Sequence, residues 1–410
     1  MTKAAFRTRP PCGALPAFLG AALGLALPAA AQDAGGVQLT FGVSLRAEST
    51  ENADLDPVSA GRSDLLSTQL SFGLTSTTAI SSLSLDGGLQ IRGSDGPSSA
   101  SDGVTAPSLA LSYGRQGANA DLSLSAAWRE TDLTQDREID DFDTGSGTRQ
   151  TSSVSLGLNW GTAAPLGFGL TAGLTDVAYQ DSPGNVDSQT TRLGLSMRAD
   201  LTEVLSLTGG LRGSRFEDDG GTTRDTVGLD LGLTLARPNG ELGLSLSQDV
   251  TEDGDRQSLR FSHSLELPRG TLGYNLGVSR DVAGNLHPVA GIDWQRQLPR
   301  GQISLSYDRS VTANSDDEET LRDKLSFDYG TELTASTRLS LALALARQEN
   351  TLSGLTTTNA DVTARISHDL TPDWALDLGY VHRIRDEDAT GNATSDKIYL
   401  ELRRNFTFRF

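Results

Sequence analysis

The chain has 410 residues, a formal net charge of −19 and a hydrophobic fraction of only 37%. Its mean hydropathy is −0.28. A transmembrane helix needs roughly 20 consecutive apolar residues, and no such run occurs beyond the N-terminus, which excludes a mature helical membrane protein. The acidity also disfavours nucleic acid as a partner, because binding to a phosphate backbone requires an excess of Lys and Arg.

Residues 1–31 have the pattern of a secretory signal peptide. Three basic residues come first, and the apolar stretch 14–28 follows them. The A-x-A pattern at 29–31 predicts cleavage before Gln32. The single cysteine, Cys12, lies in this leader, so we expect a mature chain without disulfides or thiol chemistry.

From residue 37 onwards, apolar and polar residues alternate in one segment after another. In VQLTFGVSL, residues 37–45, every second side chain is apolar and the intervening ones are Gln, Thr, Gly and Ser. A period of two over such lengths predicts β-strands. We predict about twenty strands, near 37–47, 65–75, 82–92, 107–115, 120–130, 151–160, 166–178, 190–201, 205–214, 225–236, 241–249, 257–267, 271–280, 286–298, 302–311, 321–332, 338–347, 359–370, 374–383 and 397–410.

The connections between these segments alternate in kind. One set is short and rich in Pro and Gly, such as RPNG at 237–240 and PRG at 268–270. The other set is mostly longer and acidic, such as the segments 51–64, 130–147 and 385–396. Tight turns alternating with long polar loops are typical of an up-and-down antiparallel meander.

The strand length decides how the meander closes. Segments of about ten residues match the ~9–11 residues that cross a bilayer at a tilt. Because no backbone edge can stay unpaired in lipid, such a sheet must close into a barrel. We therefore predict an all-β transmembrane up-and-down antiparallel barrel of about 20 strands (18–22), with short periplasmic turns and long acidic extracellular loops. Residues 32–410 would form this single domain.

The apolar parity of the strands also includes aromatic residues that suit the two membrane interfaces. These are Trp128, Trp160, Tyr274, Trp294, Tyr307, Tyr329, Trp374 and Tyr380. A secreted soluble β-protein, such as a solenoid or an adhesin, is the alternative. Its strands would repeat at a fixed length with small turns on every side, which differs from the alternation of short and long connections seen here.

The final stretch, RRNFTFRF at 403–410, carries a resemblance to a known class. Phe406, Phe408 and Phe410 alternate with polar residues and end the sequence. This pattern resembles the C-terminal signal of Gram-negative outer-membrane β-barrels, a porin-like class, without identifying a family within it. The resemblance implies an outer-membrane location, contact with lipid and lipopolysaccharide, and recognition of the terminal aromatics by the barrel assembly machinery.

Strand parity places a set of charged residues on the inward face of such a barrel. The pore-lining candidates are Arg46, Arg92, Arg129, Arg192, Arg198, Arg212, Arg260, Lys324, Arg365, Arg383, Asp86, Asp230, Asp293, Asp308, Asp328, Asp361 and Asp377. Two interpretations stay open: these charges set a solute or ion preference, or they pair across neighbouring strands and keep the lumen wet. The segment 130–150, the longest connection, is the candidate constriction.

An enzymatic role is disfavoured by the placement of the histidines. His263, in FSHSL, shares the outward parity of its apolar neighbours, and the sequence shows no orienting partner for a Ser–His pair. His382, near Asp386 and Glu387, only loosely resembles an acid–base pair at the rim. We therefore predict that the protein is not an enzyme and that it has no catalytic residues.

Acidic clusters at 136–143, 251–256 and 314–319 offer the oxygen ligands that Ca²⁺ prefers. None has the spacing of an EF-hand loop, so we predict no metal site and no cofactor. Diffuse bridging by divalent cations to lipopolysaccharide phosphates fits these loops better.

A barrel of 16–18 strands already leaves an aqueous channel. The favoured function is therefore passive diffusion of small hydrophilic solutes or ions across the outer membrane. An export conduit for a polysaccharide or similar polymer, and a non-conducting structural or surface-interaction barrel, are the alternatives. No motif indicates the solute or the oligomeric state.

Overall fold

The computed structural model describes residues 36–97, 102–135, 139–140, 142, 146–313, 319–351 and 353–410. The predicted leader and its cleavage position lie outside these residues, as does the acidic stretch 314–318. Within the described ranges every regular element is a strand, and no helix is long and apolar enough to cross a membrane.

Twenty strands follow one another along the chain, between 11 and 19 residues long. They are β1 (Gly36–Glu51), β2 (Arg62–Thr77), β3 (Ser81–Asp95), β4 (Gly103–Gln116), β5 (Ala120–Asp132), β6 (Thr148–Trp160), β7 (Leu166–Gln180), β8 (Ser188–Asp200), β9 (Leu205–Asp218), β10 (Thr223–Arg237), β11 (Gly240–Thr251), β12 (Gly254–Leu267), β13 (Gly270–Arg280), β14 (Leu286–Leu298), β15 (Gly301–Ala313), β16 (Glu319–Thr334), β17 (Thr337–Asn350), β18 (Thr356–Asp369), β19 (Trp374–Glu387) and β20 (Gly391–Arg409).

Each strand pairs antiparallel with the next, and β20 pairs antiparallel with β1. The seam between β1 and β20 runs from Gln38 opposite Arg409 to Glu51 opposite Asp396. Beyond the last strand residue, the amide of Phe410 donates to the carbonyl of Val37 at 2.9 Å. The predicted closed up-and-down barrel of about twenty antiparallel strands is thus confirmed.

The two ends of the barrel differ. The end that carries both Gly36 and Arg409, here called the turn end, has connections of two to five residues. The opposite end, the loop end, has connections ranging from 252–253 to 133–147. Several predicted loops are shorter than expected because strands continue into them: of the predicted loop 385–396, only 388–390 lies between strands. Polar residues sustain a strand wherever a neighbour supplies backbone partners.

The outer face is a belt of exposed apolar side chains. Phe41, Val43 and Leu45 lie on this face, and their register partners on β2 include Leu70 and Phe72. All eight predicted interface aromatics follow the same parity around the sheet. Since no other described part of the chain covers these side chains, the belt has the form of a surface suited to contact with lipid.

The opposite face is polar and largely small. Across neighbouring strands, serine hydroxyls hydrogen-bond in pairs, as between Ser125 and Ser155 at 2.7 Å and between Ser306 and Ser326 at 2.8 Å. Short side chains of this kind take little space, so a barrel of this circumference keeps an interior free of a packed apolar core.

Deleting Phe410 is expected to lower the fraction of folded barrel in the outer membrane, because the deletion removes the terminal ring and the last backbone pair of the seam. The measurement is heat-modifiable gel mobility of the membrane fraction, with Phe410→Tyr as the aromatic control. Unchanged folding of the deletion variant would contradict this role for the terminal residue.

Candidate functional site

The predicted charged residues all lie on the polar face of the sheet. The register groups Arg46, Asp86, Arg92, Arg129, Arg192, Arg198, Arg212, Asp230, Arg260, Asp293, Asp308, Lys324, Asp328, Asp361, Arg365, Asp377 and Arg383 with the serines described above. That they line a conducting pore stays a prediction.

The connection between β5 and β6 reaches the far side of the barrel. The Lys324 ammonium donates to the Asp140 carboxylate at 2.8 Å, and the Arg322 guanidinium donates to the Asp140 carbonyl. Both cations lie on β16, which is ten strands from β6 and so half-way round a ring of twenty. Gln135 of the same loop lines a cavity with Lys397 on β20, and Thr134 lines another with Arg385 on β19. The described residues of the loop, here called the crossing loop, thus lie along the polar face of strands on different sides of the ring, which identifies that face as the lumen face.

Further contacts hold the crossing segment to the same far wall. The Asn359 amide on β18 donates to the Ile139 carbonyl at 3.0 Å, and the Arg322 guanidinium lies 5.3 Å from the centre of the Phe142 ring. Of the predicted constriction 130–150, residues 139, 140 and 142 therefore lie at the wall of β16 and β18. Residues 136–138, 141 and 143–145 lie outside the described residues.

The near end of this loop is packed firmly. Leu133 is completely buried and Gln135 is 6% exposed. The Asp132 carboxylate accepts from the Arg92 guanidinium at 3.0 Å, with both side chains 3% exposed. The loop is thus held by buried packing and an ion pair at its β5 end, and by ionic contacts at Asp140.

The ionic anchor depends on the charge of Asp140. Burial raises the pKa of this carboxyl, but the hydrogen bond from Lys324 and the charges of Lys324 and Arg322 outweigh it, so the pKa lies below the ordinary 3.8. The contact is accordingly present above the ordinary pKa and is lost only as the pH falls through the lowered one.

A second feature is a ladder of charges on the lumen face of β18, β19, β20 and β1. Towards the loop end, Glu48 is 3.1 Å from the Lys397 ammonium and 2.9 Å from the Arg46 guanidinium. Arg383 lies 3.6 Å from Asp361 on the neighbouring strand. The Glu48 carboxylate is therefore shared by two cations, Arg46 and Lys397.

The ladder continues towards the turn end. Asp377, with a fully buried side chain, accepts from Arg365 at 2.7 Å and lies 3.2 Å from Arg403. Glu401 lies 3.9 Å from Arg46 and links the two halves. The ladder therefore contains five cations and four carboxylates, so pairing across strands is nearly complete but leaves one positive charge in excess.

Tyr399 holds the middle of the ladder in place. The Arg46 guanidinium lies 3.8 Å from the centre of its ring, a cation–π contact. The ring itself lies over Gly379 on β19, where a Cβ atom would overlap it. Glycine at this position is therefore what lets an aromatic ring lie flat against the wall.

Sequence analysis missed several members of this site. Lys397, Glu48, Tyr399 and Gly379 were not among the candidates, although all four belong to strands whose parity was recognised. Tyr399, Lys397 and Gly379 lie inside the predicted strands 397–410 and 374–383, so the inward parity of those strands was the available signal; Glu48 lies one residue past the predicted strand 37–47.

The remaining lumen wall has fewer clusters. Arg212 pairs with both Asp230 and Asp249, and Arg198 donates to the Ala164 carbonyl at 3.0 Å. No group of three or more His, Cys, Asp or Glu side chains suited to a metal occurs in the described part of the chain.

The histidines considered for catalysis lie on the outer face. His263 is 3.1 Å from the Tyr274 hydroxyl. His382 contacts Asp396 at 2.8 Å, rather than Asp386 or Glu387 as the sequence suggested, because antiparallel pairing places Asp396 directly opposite it. Neither histidine faces the lumen.

No protein-family model matches the sequence, and no curated protein matches it. Solved structures do match. The siderophore receptor PirA from Pseudomonas aeruginosa aligns with a TM-score of 0.51 and 12% identity over 92% of this chain and 81% of that chain. A mutant of the ferric enterobactin receptor PfeA from the same organism gives a TM-score of 0.53 and 11% identity over 92% and 81%.

The outer-membrane protein OpdK from Pseudomonas aeruginosa aligns at a TM-score of 0.43 and 11% identity, over 91% of this chain and 99% of that chain. The matches to the two receptors, at 11–12% identity, establish similarity of architecture alone. Together with the closed sheet, it identifies the chain as having the fold of an outer-membrane β-barrel, as the resemblance of its last strand implied.

The crossing loop can be tested by cross-linking. The double variant Asp140→Cys with Lys324→Cys should be joined by a short bifunctional thiol reagent, because the two side chains are in contact. The only natural cysteine, Cys12, lies in the predicted leader. In the control pair, Asp140→Cys with Ser245→Cys, the second thiol lies on the lumen face of β11. The reagent should not link these two thiols. Equal cross-linking of both pairs, read by gel mobility, would refute the crossing.

Gly379→Ala is expected to destabilise the barrel by about 1–3 kcal/mol, because the new methyl group displaces the Tyr399 ring. Gly330→Ala is the matched control: Gly330 also faces the lumen, but a Cβ there would meet nothing within 4 Å. The measurement is reversible urea unfolding in lipid vesicles. A similar loss in both variants would show that Tyr399 is not held in this way.

Proposed function

We propose that this protein is an outer-membrane channel through which small hydrophilic solutes or ions diffuse passively. The observation that carries the proposal is a closed ring of twenty strands with a polar, charged lumen face. Rings of 16–18 strands already enclose an aqueous passage, and this interior has hydroxyl groups and ionic ladders where a soluble barrel would have an apolar core.

In this proposal the turn end faces the periplasm and the loop end faces outwards, as is usual for bacterial barrels with short periplasmic turns. Phospholipid and lipopolysaccharide would cover the apolar belt. The terminal aromatics Phe406, Phe408 and Phe410 would be read by the assembly machinery during insertion. The exposed outer positions of Phe408 and Phe410 support that role.

The crossing loop restricts the passage to small solutes. Ile139 and Asp140 contact lumen-facing side chains within β18 and β16, not beyond the ends of those strands, so the loop takes up part of the lumen. This arrangement favours diffusion of small molecules over export of a bulky polymer.

The protein purified without its leader and inserted into planar bilayers should give stable unitary conductance. A small neutral solute such as a disaccharide should enter vesicles that contain it, in a liposome-swelling assay. The matched control is the same preparation denatured by heat. Complete absence of both conductance and swelling from folded, inserted barrels would overturn the channel proposal in favour of a non-conducting barrel.

The anchoring of Asp140 predicts a pH effect on conductance. At neutral pH Asp140→Asn should raise the unitary conductance, because the anchor loses its charge, and the double variant Arg322→Gln with Lys324→Gln should act alike. The unaltered channel should show a comparable rise only when the pH falls below the ordinary carboxyl pKa of 3.8. Identical conductance of all three proteins would show that this contact does not narrow the pore.

A further inference from the structure

A cavity of about 280 Å³ lies between the base of the β5–β6 loop and the lumen wall. Its polar lining consists mainly of Arg46, Arg92, Arg383, Lys397, Glu48 and Gln135. We propose that this cavity, here called the ladder cavity, binds a small tetrahedral oxyanion such as inorganic phosphate. A water molecule occupies about 30 Å³ of liquid, so the volume suits one such anion together with a few waters.

The charges at the ladder cavity favour an anion. Four cations line it against a single carboxylate, Glu48. Asp132 pairs with Arg92, and Asp361 lies 3.6 Å from Arg383, but neither carboxylate lines the cavity. Glu48 is shared between Arg46 and Lys397. Glu401 lies only as near as 3.9 Å to Arg46. The counter-charges at the cavity are thus shared, distant or outside its lining, and an added oxyanion would give the four cations a closer one.

Unused hydrogen-bond donors point the same way. The buried Nε atom of Arg383 has no hydrogen-bond acceptor among the described residues, and its ion-pair partner Asp361 lies 3.6 Å from it. The buried Nε atom of Arg46 lies 2.9 Å from the Glu48 carboxylate but without the geometry of a hydrogen bond. Burying an N–H group without an acceptor destabilises the folded protein. A guanidinium N–H group that donates to an oxyanion regains this free energy, because the hydrogen bond is charge-assisted. An anion in the cavity would thus supply acceptors that the protein does not.

The placement of the four cations on different strands favours a tetrahedral over a planar anion. The four cations belong to four different strands: Arg46 to β1, Arg92 to β3, Arg383 to β19 and Lys397 to β20. A carboxylate presents two oxygens in one plane, which suits a single guanidinium, whereas phosphate presents oxygens on every side. Gln135 adds an amide from the loop.

The cavity is also shielded enough for these interactions to matter. The side chains of Arg92 and Lys397 are only 3% and 9% exposed. Charges that are held away from bulk water interact more strongly and are screened less by salt than those on a surface. The acidic chain as a whole repels anions, so selective uptake at this position requires a local arrangement of this kind.

Titration calorimetry of the folded barrel with sodium phosphate should show one saturable site at pH 7, with sodium chloride at matched ionic strength as the blank. Lys397→Gln and Arg383→Gln should each weaken binding by about ten- to a hundredfold, the effect of losing a charged hydrogen bond. The two variants lie on different strands, so a folding defect in one leaves the other informative.

Arg338→Gln is the matched control, because it removes a lumen-facing arginine from an ion pair with Asp369 at 3.2 Å, away from the cavity. Binding by this variant should equal that of the unaltered protein. Absence of saturable heat, full binding by both cavity variants, or an equal loss in the control would overturn the proposal. Binding does not require conduction, so this test and the conductance test fail independently.

Discussion

The pairing of β20 with β1 is the constraint on which the rest of the molecule depends. In an open sheet the first and the last strand would each have one edge of unpaired backbone groups, and lipid offers these groups no hydrogen-bond partner. The seam from Gln38–Arg409 to Glu51–Asp396 pairs these two edges with each other. The same register also sets the two faces, since a slip of one residue would turn every apolar side chain of a strand into the lumen.

The strand count and the sorting of residues between faces were predictable, because both follow from local alternation and from turns rich in Pro and Gly. Strand ends were not. Beyond the apolar belt the alternation stops, yet the hydrogen-bonded ladder continues, as in Gly391–Asp396 of β20. A polar strand whose neighbours are also polar looks like a loop to any criterion based on hydrophobic period.

The charged residues of the lumen face were predictable one by one, but their partners were not. Asp140 and Lys324 are 184 residues apart in sequence, and only closure brings their walls within reach of one loop. Asp377 has two arginines because three strands converge on it. Along the ladder the geometry shows that the charges pair across neighbouring strands, whereas an effect of these charges on solute preference stays a prediction.

A ring of twenty strands is thin relative to its width. It can flatten into an oval while keeping every backbone hydrogen bond, because bending is spread over many strand pairs. The β5–β6 loop connects parts of that ring that share no backbone hydrogen bonds, since it is buried at Leu133, next to β5, and held by β16 at Asp140. Flattening the ring would change the distance between these two positions, so the contacts of Asp140 resist a change of shape that the sheet alone permits.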